Sequence, residues 1–208
     1  PAGRRGGDSL ALSIVREYLR PLVEVRERHF PMSTHGDEKE QVWDSVAEEM
    51  ASDVAAGRQV GFVTLGDAML FSTWVFLLER LQGRVPMEVI PGVTSFAAIA
   101  ARAVFPLAME QQSMAVVSCT APEAELEQAL RQHGCIVLMK VYGRFAMVRD
   151  LLARLELLPH ALLMAEASLP TEQCFRSLGE IGDDVALPYF STIVVNKAWP
   201  SVTSREVV

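Results

Sequence analysis

What most constrains this chain is a repeated pattern: a short apolar run, a turn of small residues, then helix-forming sequence. Val60-Gly61-Phe62-Val63-Thr64-Leu65 breaks at Gly66-Asp67, and Met87-Glu88-Val89-Ile90 breaks at Pro91-Gly92. Ser113 to Ser118, Cys135 to Met139 and Ala161 to Glu166 read as further strands, with helices over Pro122 to His133 and Phe145 to Leu157 between them. Strands alternating with helices imply an α/β fold. The unbroken apolarity of Val60 to Leu65 suits a strand covered on both faces, so the first half is expected to hold a mostly parallel sheet. The tail differs: Gln173 to Ile181 and Phe190 to Trp199 read as two β segments with no long helix between them. That predicts a mixed sheet in the second half.

Helix signals fill the remaining segments. Asp8 or Ser9 caps a first helix whose Leu10, Ile14, Val15 and Tyr18 share a face. Val23 and Val25 alternate with charged residues through His29, as in a half-exposed strand, and Pro31 to Gly36 is a loop. Acidic residues from Asp37 lead into Val42, Val46, Met50 and Val54, spaced by four, and Gly57 ends that helix. Ser72 to Leu81 is helical up to Gly83, and Thr94-Ser95 caps an alanine-rich helix. Phe105-Pro106-Leu107 reads as a hinge or linker. A length of 208 residues then divides into an N-terminal α/β domain over 1–108 and a C-terminal α/β domain over 109–208.

Charge and composition narrow the function. The balance is 19 basic against 26 acidic residues, a net charge of −7, so no global positive field draws in nucleic acid or an anionic membrane. The longest uncharged run, Val89 to Ala101, is interrupted by Gly and Pro and is too short to span a bilayer. A cytoplasmic protein is expected. Cys119, Cys135 and Cys174 are far apart, and His29, His35, His133 and His160 are scattered. With no CxxC or HxxxH spacing, the thiols read as idle groups in a reducing compartment and no metal site is expected.

Five strand ends are candidate ligand positions, because open sheets bind ligands beyond the carboxyl ends of their strands. At Thr64 to Thr73, Gly66 lets the backbone turn and approach a ligand, and Asp67 offers an acceptor. The bland alternative is a strand-to-helix turn with a capping aspartate. At Val89 to Ser95 a glycine turn precedes two hydroxyls at a helix start, where free N–H groups hold anions unless Thr94 and Ser95 simply cap. Val137 to Arg144 presents Met139 at a strand end with Lys140 and Arg144 close behind, unless the methionine is core filler and the basic pair a solvated edge; Ala165 to Ser168 and Tyr189 to Ile193 supply the last two. Dinucleotide, P-loop and nucleophile-elbow motifs are absent, since no GxGxxG, GxxxxGK(S/T) or GxSxG occurs.

In order along the chain, these loops resemble the tetrapyrrole (corrin and porphyrin) methylases, S-adenosylmethionine-dependent enzymes. Leu65 to Thr73 is similar to the family's Gly-Asp-Pro signature with a following Ser or Thr, although Ala68 stands where the family has proline. Met87 to Ser95 is similar to its VEVIPG-type strand and turn. Gly7 to Val15, Gly66 to Trp74, Val137 to Lys140 and Glu166 to Gln173 look like the branch that methylates carbon 20 of precorrin-2, and the resemblance spans 7–198. Members begin with a strand and a Gly-x-Gly-x-Gly loop, whereas this chain opens at Pro1-Ala2-Gly3, so an additional strand and loop are expected before Pro1.

The resemblance implies two α/β domains of the class III methyltransferase type, with the cofactor in the cleft between them, and a homodimer. Carried over by position, S-adenosylmethionine (leaving as S-adenosylhomocysteine) would be held by Leu65, Gly66, Asp67, Leu70, Thr94, Ser95, Met139, Ala167, Thr192 and Ile193. The substrate would be precorrin-2 or cobalt-factor II, whose carboxylates would meet Arg4, Arg5 and Lys140. Competing expectations are a methylase acting on another precorrin carbon or on uroporphyrinogen III, and a non-catalytic small-ligand-binding α/β protein.

Overall fold

A computed structural model describes residues 9–30 and 36–199. Asp8, the segment 31–35, Arg4 and Arg5 lie outside the described residues. The chain divides into two compact units, Pro1–Thr94 and Ser95–Val208.

In the first unit α1 (Leu10–Val15) starts where the Ser9 hydroxyl accepts the Leu12 N–H, and a 3-10 turn follows at Arg16–Tyr18. The four-residue spacing of Val42, Val46 and Met50 makes one apolar face on α2 (Gly36–Ala55), which packs on α3 (Trp74–Leu81). Phe30, Val46, Ala47, Trp74, Leu77 and Leu81 form the core of this unit. Trp43 stacks on Phe76 with centroids 4.2 Å apart, and Arg80 lies over Trp43 while pairing with Glu40 and Asp44.

The expected parallel sheet of the first half is not formed among the described residues of this unit. Neither 60–65 nor 87–90 belongs to a strand ladder, and Val23 to His29 contributes only an isolated bridge at His29. A ladder needs a partner backbone about 4.8 Å away along its length. From Val85 to Ile90 the side chains keep the period of two all the same; over 60–65 they do not, since Val60 shares the parity of Phe62. Phe62, Val85, Met87 and Val89 pack on the core, whereas Val60, Val63 and Ile90 are exposed. The runs are therefore covered on one face, not both.

The second unit is a five-stranded mixed sheet in the order β1 (Met114–Ser118), β2 (Cys135–Met139), β5 (Ser191–Asn196), β3 (Ala161–Ala165), β4 (Gln173–Phe175). Among the described residues only β1 and β2 pair in parallel; the other pairings are antiparallel, as the β-rich tail predicts. Alternate residues face opposite layers. Ile136, Leu138, Leu163, Ile193 and Val195 pack with Leu126 and Leu130 of α5 (Glu123–Gln132) and Val148, Leu151 and Leu152 of α6 (Phe145–Arg154). Leu162, Met164 and Val194 pack with Ile99 and Ala103 of α4 (Ser95–Ala103) and with Phe105.

The hinge expected at Phe105-Pro106-Leu107 is instead pinned to this unit. Phe105 is buried, and the wholly buried Asn196 donates from Nδ2 to the carbonyls of Pro106 (2.9 Å) and Leu107 (3.0 Å). Its Oδ1 accepts from Gln112 and from the Ala198 N–H, so the amide's hydrogen-bonding capacity is used in full. Among the described residues no helix is long and apolar enough to cross a membrane.

Candidate active site

The sequence candidates fall into two sets, one in each unit. In the first, the loop at 65–70 and the turn at 91–93 meet backbone to backbone. Asp67 joins them: Oδ1 accepts the Met69 N–H at 2.8 Å and Oδ2 accepts the Gly92 N–H at 3.0 Å. A short acidic side chain can bind the N–H two residues ahead in a tight turn, and here its second oxygen also reaches the neighbouring loop. Both oxygens thus hold the chain's own backbone. Leu65, Leu70 and Thr94 are half-buried around this clasp, and Ser95 opens α4.

The two glycines play different parts. Gly66 has φ +68, a left-handed conformation that disfavours a side chain, but a Cβ there would lie 3.7 Å from the Val93 carbonyl oxygen, an ordinary contact. At Gly92 a Cβ would come within 2.1 Å of the Gly66 carbonyl oxygen. At Gly66 it is the backbone conformation that asks for glycine, whereas at Gly92 it is the close approach of the partner loop. Phe71, just beyond, is a non-glycine residue at φ 50.

The second set lies along one edge of the sheet. β1, β2 and β3 run in one direction and β5 in the other, so the carboxyl ends of the first three and the start of β5 share that edge. Met139 and Met164 both pair with Thr192, and the three point to the same face. Lys140 follows Met139 directly, and Ala167 is half-buried against the α4-side core. Ile193 differs: its side chain is wholly buried on the opposite face, among the α5 and α6 contacts. Backbone bonds knit the edge together, from Cys119 N–H to the Met139 carbonyl (2.8 Å) and from Glu166 N–H to the Phe190 carbonyl (2.8 Å).

Strain gathers at this edge. Lys140, Glu166 and Ser168 have φ of 60, 53 and 68, at a cost on the order of 1 kcal/mol each that surrounding contacts must offset. One such contact is visible. Glu172 Oε2 accepts both the Ser168 N–H at 2.6 Å and the Arg102 guanidinium, tying the loop after β3 to α4. Arg102 first, and the Ser168 N–H second, hold the Glu172 carboxyl below its ordinary value.

Three features of this edge involve residues the sequence places at strand ends or leaves idle, but their contacts could not be read there. Tyr142, Tyr189 and Phe190 form a partly exposed aromatic patch, with centroids 5.0 Å apart for the first pair and 5.2 Å for the second. Arg144 donates from Nη1 to the carbonyls of Cys119 (2.8 Å) and Ala121 (2.6 Å). Cys119 itself is wholly buried, and that burial pushes its thiol up to about 12; Cys135 rises to about 11 for the same reason. Neither thiol is an available nucleophile.

Comparisons with known proteins bear on what these residues serve. The family model for tetrapyrrole (corrin/porphyrin) methylases matches residues 5–182. Cobalt-precorrin-2 C(20)-methyltransferase of Salmonella typhimurium is 66% identical over 199 residues, covering 96% of this chain and 84% of that protein. Precorrin-2 C(20)-methyltransferase of a Sinorhizobium species is 31% identical over 202 residues, covering 93% and 80%. Among solved structures, the methyltransferase CobJ aligns with a TM-score of 0.63 at 21% identity, covering 89% of this chain and 81% of that one. Uroporphyrin-III C-methyltransferase from Thermus thermophilus, complexed with S-adenosylhomocysteine, aligns at 0.56 and 24% identity, covering 80% and 74%. Reaching both units and nearly all of the described residues, these matches show that the chain belongs to the tetrapyrrole methylases.

Proposed function

We propose that this protein transfers a methyl group from S-adenosylmethionine to carbon 20 of precorrin-2 or cobalt-factor II in cobalamin biosynthesis. The observation that carries this is the 66% identity, over 96% of the chain, to a cobalt-precorrin-2 C(20)-methyltransferase. The cofactor residues of this reading are Leu65, Gly66, Asp67, Leu70, Thr94, Ser95, Met139, Ala167 and Thr192, with Ile193 acting only through its backbone. Arg4, Arg5 and Lys140 meet the substrate carboxylates.

The residues suit such a cofactor. Leu65, Leu70 and Met139 offer apolar surface to an adenosyl group, and Gly66 leaves the backbone bare at a loop end. When bound, S-adenosylmethionine supplies an activated methyl on a good leaving group. What remains for the protein is placement: an acceptor carbon held in line with that methyl, with water excluded. Asp67 contributes by fixing the two loops to each other, its oxygens being occupied by backbone N–H groups.

Incubation with S-adenosylmethionine and precorrin-2, or its cobalt form, should add one methyl, located at carbon 20 by mass spectrometry and NMR. Transfer to another carbon rejects the branch. S-adenosylhomocysteine binding no tighter than that of adenosine phosphates rejects the enzyme class. The reading includes a cytoplasmic homodimer that engages neither nucleic acid nor membrane. Sedimentation at micromolar concentration is expected to give twice the monomer mass, and a monomer alone would remove the dimer.

A further inference from the structure

The sheet edge that carries Met139 and Thr192 also holds features with no part in cofactor binding as proposed above. Tyr142 and Tyr189 come from different loops, yet their rings lie 5.0 Å apart, and Phe190 packs edge-on to Tyr189 at 5.2 Å. The two loops are joined by the Val141 N–H donating to the Ser191 carbonyl at 3.4 Å, so the patch is built on strand ends. The three residues remain 46%, 42% and 43% exposed. Three neighbouring aromatics left this open present stacking surface without the cost of ordering flexible chains.

Arg144 stands on the same loop as Tyr142. Its Nη1 is fixed by two backbone carbonyls, those of Cys119 and Ala121. Arg102, Arg131, Arg149 and Arg154 of this unit all pair with carboxylates. Among the described residues Arg144 has no such partner, and neither its Nε nor its Nη2 meets a protein acceptor. An anchored guanidinium with an open fork matches a carboxylate.

We propose that Tyr142, Tyr189 and Phe190 stack against the ring system of a tetrapyrrole and that Arg144 pairs with one of its peripheral carboxylates. Flat π-surface beside a positioned cation is the complement of a macrocycle that is apolar on its faces and anionic at its rim. The assignment rests on the methyltransferase reading and adds to it the residues that hold the acceptor.

The test uses uroporphyrin III, a stable carboxylated tetrapyrrole, followed by fluorescence quenching, and S-adenosylhomocysteine, followed by calorimetry. The double variant Tyr142→Leu with Tyr189→Leu keeps apolar bulk and should weaken uroporphyrin binding about tenfold or more. Its S-adenosylhomocysteine affinity should stay within about twofold. Arg144→Gln should weaken uroporphyrin similarly, by a margin that shrinks at high salt, and Arg144→Lys should recover part of the loss. Unchanged uroporphyrin binding in folded variants overturns the proposal, as does a larger loss for S-adenosylhomocysteine, which would mark the patch as an adenine site. A parent protein that binds neither ligand sinks the methyltransferase reading and this one together. A parent that binds both, with indifferent variants, sinks this one alone.

Discussion

At the scale of single residues, the clasp between the two loops of the first unit makes a sharp prediction. Gly92→Ala puts a methyl group within 2.1 Å of a backbone oxygen, so one loop must shift. Expected is a loss of S-adenosylhomocysteine affinity of at least tenfold with little change in the circular dichroism spectrum. Asp67→Asn keeps one acceptor and turns an amide NH2 toward the other N–H donor, which should cost about fivefold in the same titration. A Gly92→Ala variant that binds like the parent would remove this loop pair from the cofactor site. Gly66 and Asp67 stand out in sequence because a glycine closing an apolar run marks a sharp backbone turn. That Asp67 faces its own backbone is hidden there, because the Gly92 N–H it accepts becomes a neighbour only once the chain has folded.

At the scale of elements, what holds the loop after β3 is the bond from Arg102 on α4 to Glu172. With the folded Glu172 carboxyl held below its ordinary value, the contact stabilises the protein fully above the unfolded glutamate value of about 4.3. The contribution disappears as pH falls through the folded value. Thermal melts of the parent and Glu172→Gln should therefore differ at pH 7 and converge only as pH falls below the unfolded glutamate value and through the folded one, and a gap that persists below that would refute the sign. Elements that carry their own pattern are legible in the sequence: the four-residue spacing of α2, the strand at Cys135–Met139, and the β-rich tail. The run at 60–65 looks covered on both faces and is not, because unbroken apolarity records composition and not which neighbours arrive. The Phe105 hinge fails for a related reason. Proline beside an aromatic reads as a break, whereas the anchor that fixes it, Asn196, comes much later in the chain.

Across the whole molecule, the thiols report burial in a single experiment. Burial raises all three thiols, but Cys119 and Cys135 are fully buried, whereas Cys174 is an exposed residue. A chromogenic disulfide reagent near pH 8 should titrate one thiol in the native protein and all three after denaturation, and two or more fast thiols would mean that the sheet opens readily. The strand order has a further consequence. β5, the last strand among the described residues, lies at the centre of the sheet between β2 and β3, so β1-β2 and β3-β4 have no ladder to each other without it. A chain emerging from the ribosome can form helices and two separate strand pairs, but its second unit has no centre until residues 191–196 clear the exit tunnel. Until then both pairs present an unpaired edge, and the growing polypeptide depends on translation finishing, or on a chaperone, to keep those edges from meeting the wrong strand.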